Sequence, residues 1–150
     1  MTGHGAVAPV GEISPSDAWD LLVTNPGAVL VDVRTLAEWK FVGTPDLGEL
    51  RKSTIFVEWS LFPDMSVNPR FVADLEEKLD GAAPSHLLFL CRSGARSLSA
   101  AQAVADHLSS QGRSAVCLNV AEGFEGDLGP TGHRGAVNGW KSRGLAWRQS

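Results

Sequence analysis

Short apolar runs alternating with helical stretches restrict this chain more than any other feature. Ala28-Val29-Leu30-Val31 ends on Asp32, and His86 to Leu90 leads directly into Cys91. Runs this short, flanked by glycine, proline or charge, fit buried strands better than buried helices. Thr54 to Val57 and Ser114 to Leu118 add two more. Between them lie the helix signals. Ser14-Pro15 reads as an N-cap with proline at the first helical position, and that helix stops at Asn25-Pro26-Gly27. Thr35 and Glu38 have capping-box spacing, predicting a short helix through Trp39. Asn68-Pro69 repeats the cap-plus-proline signal before Phe71, Val72, Leu75 and Leu79, and Asp80-Gly81 ends that helix. From Arg96 to about Gln111, Ala100, Ala101, Val104, Ala105 and Leu108 line one helical face, with Gly112 as the stop. The alternation predicts an α/β domain with a mainly parallel sheet. In such sheets ligands sit at the carboxyl ends of strands, which is where Cys91 falls.

A chain of 150 residues, 43% apolar and 20% charged, fits one folded domain rather than a disordered segment. Residues 1–12 read as a flexible N-terminal arm and 13–150 as the domain. A formal net charge of -4 argues against nucleic acid as a partner. No apolar run has the length of a signal peptide or a membrane span, so no membrane partner is expected. Two cysteines without a secretory signal predict a reducing, cytoplasmic setting. The histidines at 4, 86, 107 and 133 show no metal-ligand spacing, so no metal site is expected.

The chemistry concentrates in Cys91-Arg92-Ser93-Gly94-Ala95-Arg96-Ser97, a strand–loop–helix junction. Gly94 supplies the backbone freedom of a tight ring. The amides from Arg92 to Arg96 can point inward at the sulfur, the following helix adds partial positive charge at its N-terminus, and Arg92 and Arg96 add full charges. All three favour a thiolate, making Cys91 an exposed nucleophile for an anionic donor. Cys117, inside Ala115-Val116-Cys117-Leu118, reads as a core residue. Asp32 is expected to cap loop amides and Arg34 to pair with Glu38 across a helical turn. Trp19 and Trp39 are expected in the core, and Trp59 either there or at the active-site mouth.

These motifs resemble the rhodanese-like family. C-R-S-G-A-R-S is similar to the active-site loop of its single-domain members. Asp32-Val33-Arg34 with Glu38-Trp39 is similar to its D-V-R-x-x-x-E-[YW] signature, and Gly139-Trp140 with Gly144-Leu145-Ala146-Trp147 to its C-terminal G-W…G-L-P-W pattern. Two departures stand out: Val42 to Leu47 replaces the usual G-H-I-P-G-A, and Glu122 to Asn138 is extended. The resemblance implies a five-stranded parallel sheet flanked by helices on both faces. It also implies a sulfurtransferase without cofactor, with Cys91 carrying sulfur as a persulfide and Arg92, Ser93, Gly94, Ala95 and Arg96 forming its cradle. The donor is then thiosulfate or a similar small anion, and the acceptor cyanide, a thiol or a partner protein. Two alternatives compete. Tyrosine phosphatases and arsenate reductases share a cysteine–arginine loop but with C-x5-R spacing, whereas Arg96 stands at C-x4-R and Ser97 at the next position. A non-catalytic binding or regulatory module is the second alternative; such modules usually lose the cysteine, whereas this chain keeps Cys91 with both arginines.

Glycines at 123, 126, 129, 132, 135 and 139, with Pro130, exclude regular structure from Glu122 to Gly139. This stretch leaves the same sheet edge as the Cys91 loop and is expected to border it. Phe124 and Trp140 are expected to anchor its ends, and His133 and Arg134 to serve as a mobile lid.

Overall fold

The computed structural model describes residues 8–149. In chain order it runs β1 (Gly11–Ile13), α1 (Pro15–Thr24), β2 (Ala28–Asp32), α2 (Leu36–Phe41) and β3 (Thr44–Pro45). There follow a 3-10 turn at Gly48–Leu50, β4 (Ile55–Phe56), β5 (Ser60–Leu61), β6 (Ser66–Val67) and α3 (Phe71–Leu79). The chain ends with β7 (His86–Leu90), α4 (Ala95–Ser110), β8 (Val116–Val120) and β9 (Trp147–Arg148). Five strands form one all-parallel sheet in the order β1-β8-β7-β2-β4. The pairs β3–β9 and β5–β6 are small antiparallel ribbons.

Alternation along the central strands divides the core in two. Leu87, Phe89 and Cys91 face one side, where Phe71, Leu75 and Leu79 of α3 and Ala100, Ala101, Val104 and Leu108 of α4 cover them. Leu88 and Leu90 face the other, against Ala18 and Leu22 of α1 and against Phe124 and Trp140. Helices thus cover both faces, as the family resemblance implies. Trp19 packs edge-on to Trp140, Trp39 to Phe56, and Trp59 to Phe71, so Trp59 is a core neighbour.

The caps at Ser14 and Thr35 form as expected, the latter as a full capping box with Glu38. Four expectations are corrected. Gly11 and Glu12, assigned to the arm, lie in β1, paired with Leu118 and Asn119; the rest of the arm up to residue 7 lies outside the described residues. The last core strand begins at Val116 and runs to Val120, two residues beyond the expected end. Asn68 does not cap α3. Its Oδ1 accepts from the Arg70 amide, and the helix starts only at Phe71.

The fourth correction concerns charge. Arg34 does not pair with Glu38. It is fully buried and folds back on Asp32, with Nη2 donating to Oδ2 at 2.7 Å and Nε to Oδ1 at 3.0 Å. Asp32 Oδ1 also accepts from the Arg34 amide, so its expected capping role holds at one amide. Nη2 donates further to Gly43 O at 2.8 Å, and the guanidinium lies 4.2 Å from the Phe124 ring centroid. A charge pair with no solvent contact is costly to break, because the survivor stays buried alone. Arg34→Met should therefore lower stability by about 3–5 kcal/mol in urea unfolding, and adding Asp32→Leu should recover part of that loss.

Candidate active site

Strand β7 ends at Leu90, and the chain turns through Cys91 to Ser93 before α4 begins at Ala95. Gly94 caps the helix at φ +118°, a left-handed conformation that side-chain-bearing residues rarely adopt. The turn brings the Gly94 amide to 3.2 Å from Cys91 Sγ and Ser97 Oγ to 3.1 Å. Among the described residues Gly94 is the ring amide that bonds the sulfur, fewer than the run from Arg92 to Arg96 suggests. Cys91 is 1% exposed, so the nucleophile is recessed rather than exposed. It lies at a cleft of about 530 Å³ that is also lined by Glu38, Val42, Met65, Arg92, Ser93, Ala95, Arg96, Glu125 and Arg134.

The cations differ in their commitments. Arg96 forms a bidentate pair with Glu38, Nη1 to Oε1 at 2.7 Å and Nη2 to Oε2 at 2.8 Å. It therefore does not stand free over the sulfur. Burial pulls the Glu38 carboxyl upward, but the Arg96 guanidinium and the Thr35 amide and hydroxyl outweigh it, leaving Glu38 below its ordinary value. Burial likewise pulls Arg96 down, and Glu38, Cys91 and Asp32 together lift it above the ordinary value. Arg92 is exposed and has no carboxylate partner among the described residues. Arg134 donates one Nη1 hydrogen bond to Gly126 O at 2.7 Å and otherwise faces the cleft. His133 is not part of the lining; its Nδ1 lies 3.1 Å from Thr131 Oγ1 in an exposed turn.

The glycine-rich segment closes on the Cys91 loop through its backbone. Phe124 N donates to Cys91 O at 2.8 Å, and Glu125 N and Gly126 N donate to Arg92 O at 3.0 and 3.2 Å. A Cβ at Gly123, whose φ is +69°, would stand 2.5 Å from the Arg92 carbonyl. The neck of the segment is tied by Trp140 N to Gly123 O, by Gly139 N to Glu122 Oε1, and by the Glu122–Arg143 ion pair. Phe124 and Trp140 are fully buried, which makes this a compact Ω-type loop with apolar anchors. Its middle is hydrogen-bonded rather than free, with Gly129 N donating to His133 O and Gly135 N to Glu125 O.

Sequence reasoning missed Asn119 and the part played by Ser97. Asn119 is 3% exposed at the carboxyl end of β8, with its side chain against Ser97, Gly94 and Glu12. The signal was available: like Asp32, it is a polar residue at the end of a buried strand. Cys117 is buried, and burial pushes its thiol up to about 11. It pairs in register with Leu87, four residues before Cys91, so the two cysteines are separated by about 13 Å along the sheet.

No family model matches the chain. It is 37% identical over 139 residues to the uncharacterized protein RP600 of Rickettsia prowazekii, covering 93% of this chain and 98% of that one. It is 29% identical to a chloroplastic thylakoid rhodanese-like protein of Oryza sativa, over 95% of this chain but 26% of that protein. The crystal structure of Rv0390 from M. tuberculosis superposes with a TM-score of 0.80 at 45% identity, covering 94% of this chain and 98% of that one. Two more distant structures share the fold. An As-Sb reductase from Leishmania major does so at TM-score 0.56 and 18% identity, covering 84% and 92% of the two chains. A polysulfide-sulfur transferase from Wolinella succinogenes does so at 0.51 and 23%, covering 94% and 80%. The chain is thus similar along nearly its whole length to a rhodanese-like protein, and its fold is that of the rhodanese-like domains. Among the described residues no helix is long and apolar enough to cross a membrane.

The Glu38–Arg96 pair makes acid a probe of the site. Because folding lowers the Glu38 carboxyl below its ordinary value of 4.5, its contribution to stability is complete above that pH and is lost as pH falls through the folded value. Urea unfolding on the acid side of pH 4.5 should show a shallower loss of stability in Glu38→Gln than in the parent. Parallel curves would place the acid sensitivity elsewhere.

Proposed function

We propose that the protein is a sulfurtransferase in which Cys91 accepts sulfane sulfur from thiosulfate or a similar anion and passes it to a thiophilic acceptor. The arrangement of Arg96 carries this reading. In phosphoryl transfer an arginine fork clasps the tetrahedral anion above the cysteine. Here Arg96 is engaged by Glu38, and the residue at the C-x5-R position is Ser97, whose hydroxyl rests against the sulfur itself. A ring closed this tightly suits one added sulfur atom better than a phosphate.

The Cys91 thiolate attacks the outer sulfur of thiosulfate, the donor's S–S bond breaks, and sulfite leaves with the bonding pair. The product is a Cys91 persulfide. Arg92 and Arg134 attract the dianion into the cleft, and the first amides of α4, which have no intrahelical acceptor, face the new negative charge. An external nucleophile such as cyanide or a thiol then attacks the outer sulfur and releases the Cys91 thiolate. The acceptor must be external, since Cys117 lies far beyond disulfide reach and remains a thiol near neutrality.

Incubation with thiosulfate should add one sulfur atom by mass, removable with cyanide or dithiothreitol. Cys91→Ser should lose the adduct and Cys117→Ser keep it; an adduct surviving in Cys91→Ser rejects the assignment. Arg92→Ala and Arg134→Ala should each raise the thiosulfate KM by roughly three- to tenfold with little change in kcat. An unchanged KM in both would remove these arginines from donor binding.

A further inference from the structure

Asn119 sits among partners that dictate how its amide is turned. Glu12 Oε2 at 3.0 Å and Gly94 O at 3.1 Å can only accept hydrogen bonds, so the amide nitrogen faces them. The amide oxygen then faces Ser97, whose Oγ lies 2.5 Å away. Ser97 has a single hydroxyl proton and three acceptors around it: Asn119 Oδ1, Cys91 Sγ at 3.1 Å and Gly94 O at 3.3 Å. Asn119 Oδ1 is the nearest, and it has no other donor among the described residues. The proton therefore belongs to Asn119, and Ser97 turns a lone pair toward the sulfur. A resting Cys91 completes this arrangement as a thiol, donating S–H to Ser97 Oγ. A thiolate or persulfide needs a donor at that point, and Ser97 supplies one only by rotating its hydroxyl away from Asn119.

We propose that Asn119, pinned by Glu12, and Ser97 form a hydroxyl switch that holds the unloaded Cys91 as a thiol and releases a hydrogen bond to the sulfur when it becomes anionic. Asn119 is a positioning residue: it touches neither sulfur nor donor and acts through Ser97. The chain from Glu12 on β1 through Asn119 on β8 to Ser97 on α4 spans three elements, and its two inner members, Asn119 and Ser97, are buried. The resting state is thereby guarded against neutral electrophiles and oxidants, which react with thiolates. Binding of an anionic donor near Arg92 and Arg134 does not require the guard to be absent: as the S–S bond of the donor breaks, the Cys91 proton leaves with the departing sulfite as bisulfite, and the Ser97 hydroxyl turns toward the sulfur as charge develops on it.

The inference rests on Cys91 being the nucleophile of the proposed reaction, and it is tested without that reaction. The rate of Cys91 alkylation by iodoacetamide at pH 7 is measured in Cys117→Ser protein, so that one thiol reports. Asn119→Leu frees the Ser97 hydroxyl for the sulfur and should raise the rate on the order of three- to tenfold. Glu12→Ala, an exposed change that leaves the core intact, unpins the amide and should raise it by a smaller factor. In a Ser97→Ala background neither change should raise the rate. Rates unchanged or lowered by both Asn119→Leu and Glu12→Ala overturn the switch. An increase that persists without the Ser97 hydroxyl also overturns it, since it reports a loosened loop. Thiosulfate loading of the parent reads the sulfurtransferase proposal separately, so either can fail alone.

Discussion

A tight turn at the end of a parallel strand points some of its carbonyls away from the sheet, and buried carbonyls must find donors. In this protein the Cys91 and Arg92 carbonyls find them in the amides of Phe124, Glu125 and Gly126, on the segment that follows β8. The approach is close enough that Gly123 has no room for a Cβ. The Cys91 turn is held by this backbone seam. It fixes the plane of the turn from which Gly94 reaches back to Sγ and places Arg134 at the cleft. Buried Phe124 and Trp140 hold the seam from beneath, and the Glu122–Arg143 pair closes it at the rim. The extended Glu122 to Asn138 region is thus the outer wall of the site.

The same economy governs charge. Two of the four arginines near the cysteine are committed before any ligand arrives: Arg34 to Asp32 inside the protein, and Arg96 to Glu38 at the cleft. Those pairs organise backbone. Arg34 joins the end of β2 to Gly43 and Phe124, and Glu38 joins the first turn of α2 to the first turn of α4. In the proposed reaction, attraction of the anion falls to Arg92 and Arg134, which line the cleft and come from loops. On the sulfurtransferase reading, rigidity and ligand attraction are thereby carried by different residues.

What was legible in the sequence was local. The Ser14 and Thr35 caps depend on side chains three residues from the amides they satisfy, so spacing alone reveals them. Strands β2 and β7 announce themselves as uninterrupted apolar runs. Residues whose role depends on sheet order were not legible. Gly11 and Glu12 lack strand character, and β1 exists because β8 offers its edge. Glu38 had two arginines to choose from; helical spacing favoured Arg34, whereas the fold carries Arg34 inward to Asp32 and brings Arg96 across. Asn119 follows directly on the apolar run that ends at Leu118 and so reads as the start of a loop, which hides its place in β8 and its contact with Ser97.

Alternation along β7 explains why a cysteine at this position is both reachable and restrained. Leu87, Phe89 and Cys91 share the face covered by α4, so the sulfur points toward the helix whose first turn carries Gly94 and Ser97. A residue one position earlier would point toward α1 and meet only apolar neighbours. The fold itself is shared with proteins of other chemistries, so it does not select the reaction. On the proposed sulfurtransferase reading, selection lies in what occupies the space above the sulfur. An arginine fork there invites a tetrahedral oxyanion, whereas a hydroxyl and a single amide at hydrogen-bond distance leave room for one more atom. In this chain Glu38 has drawn the arginine aside, and Ser97 and Gly94 hold the sulfur.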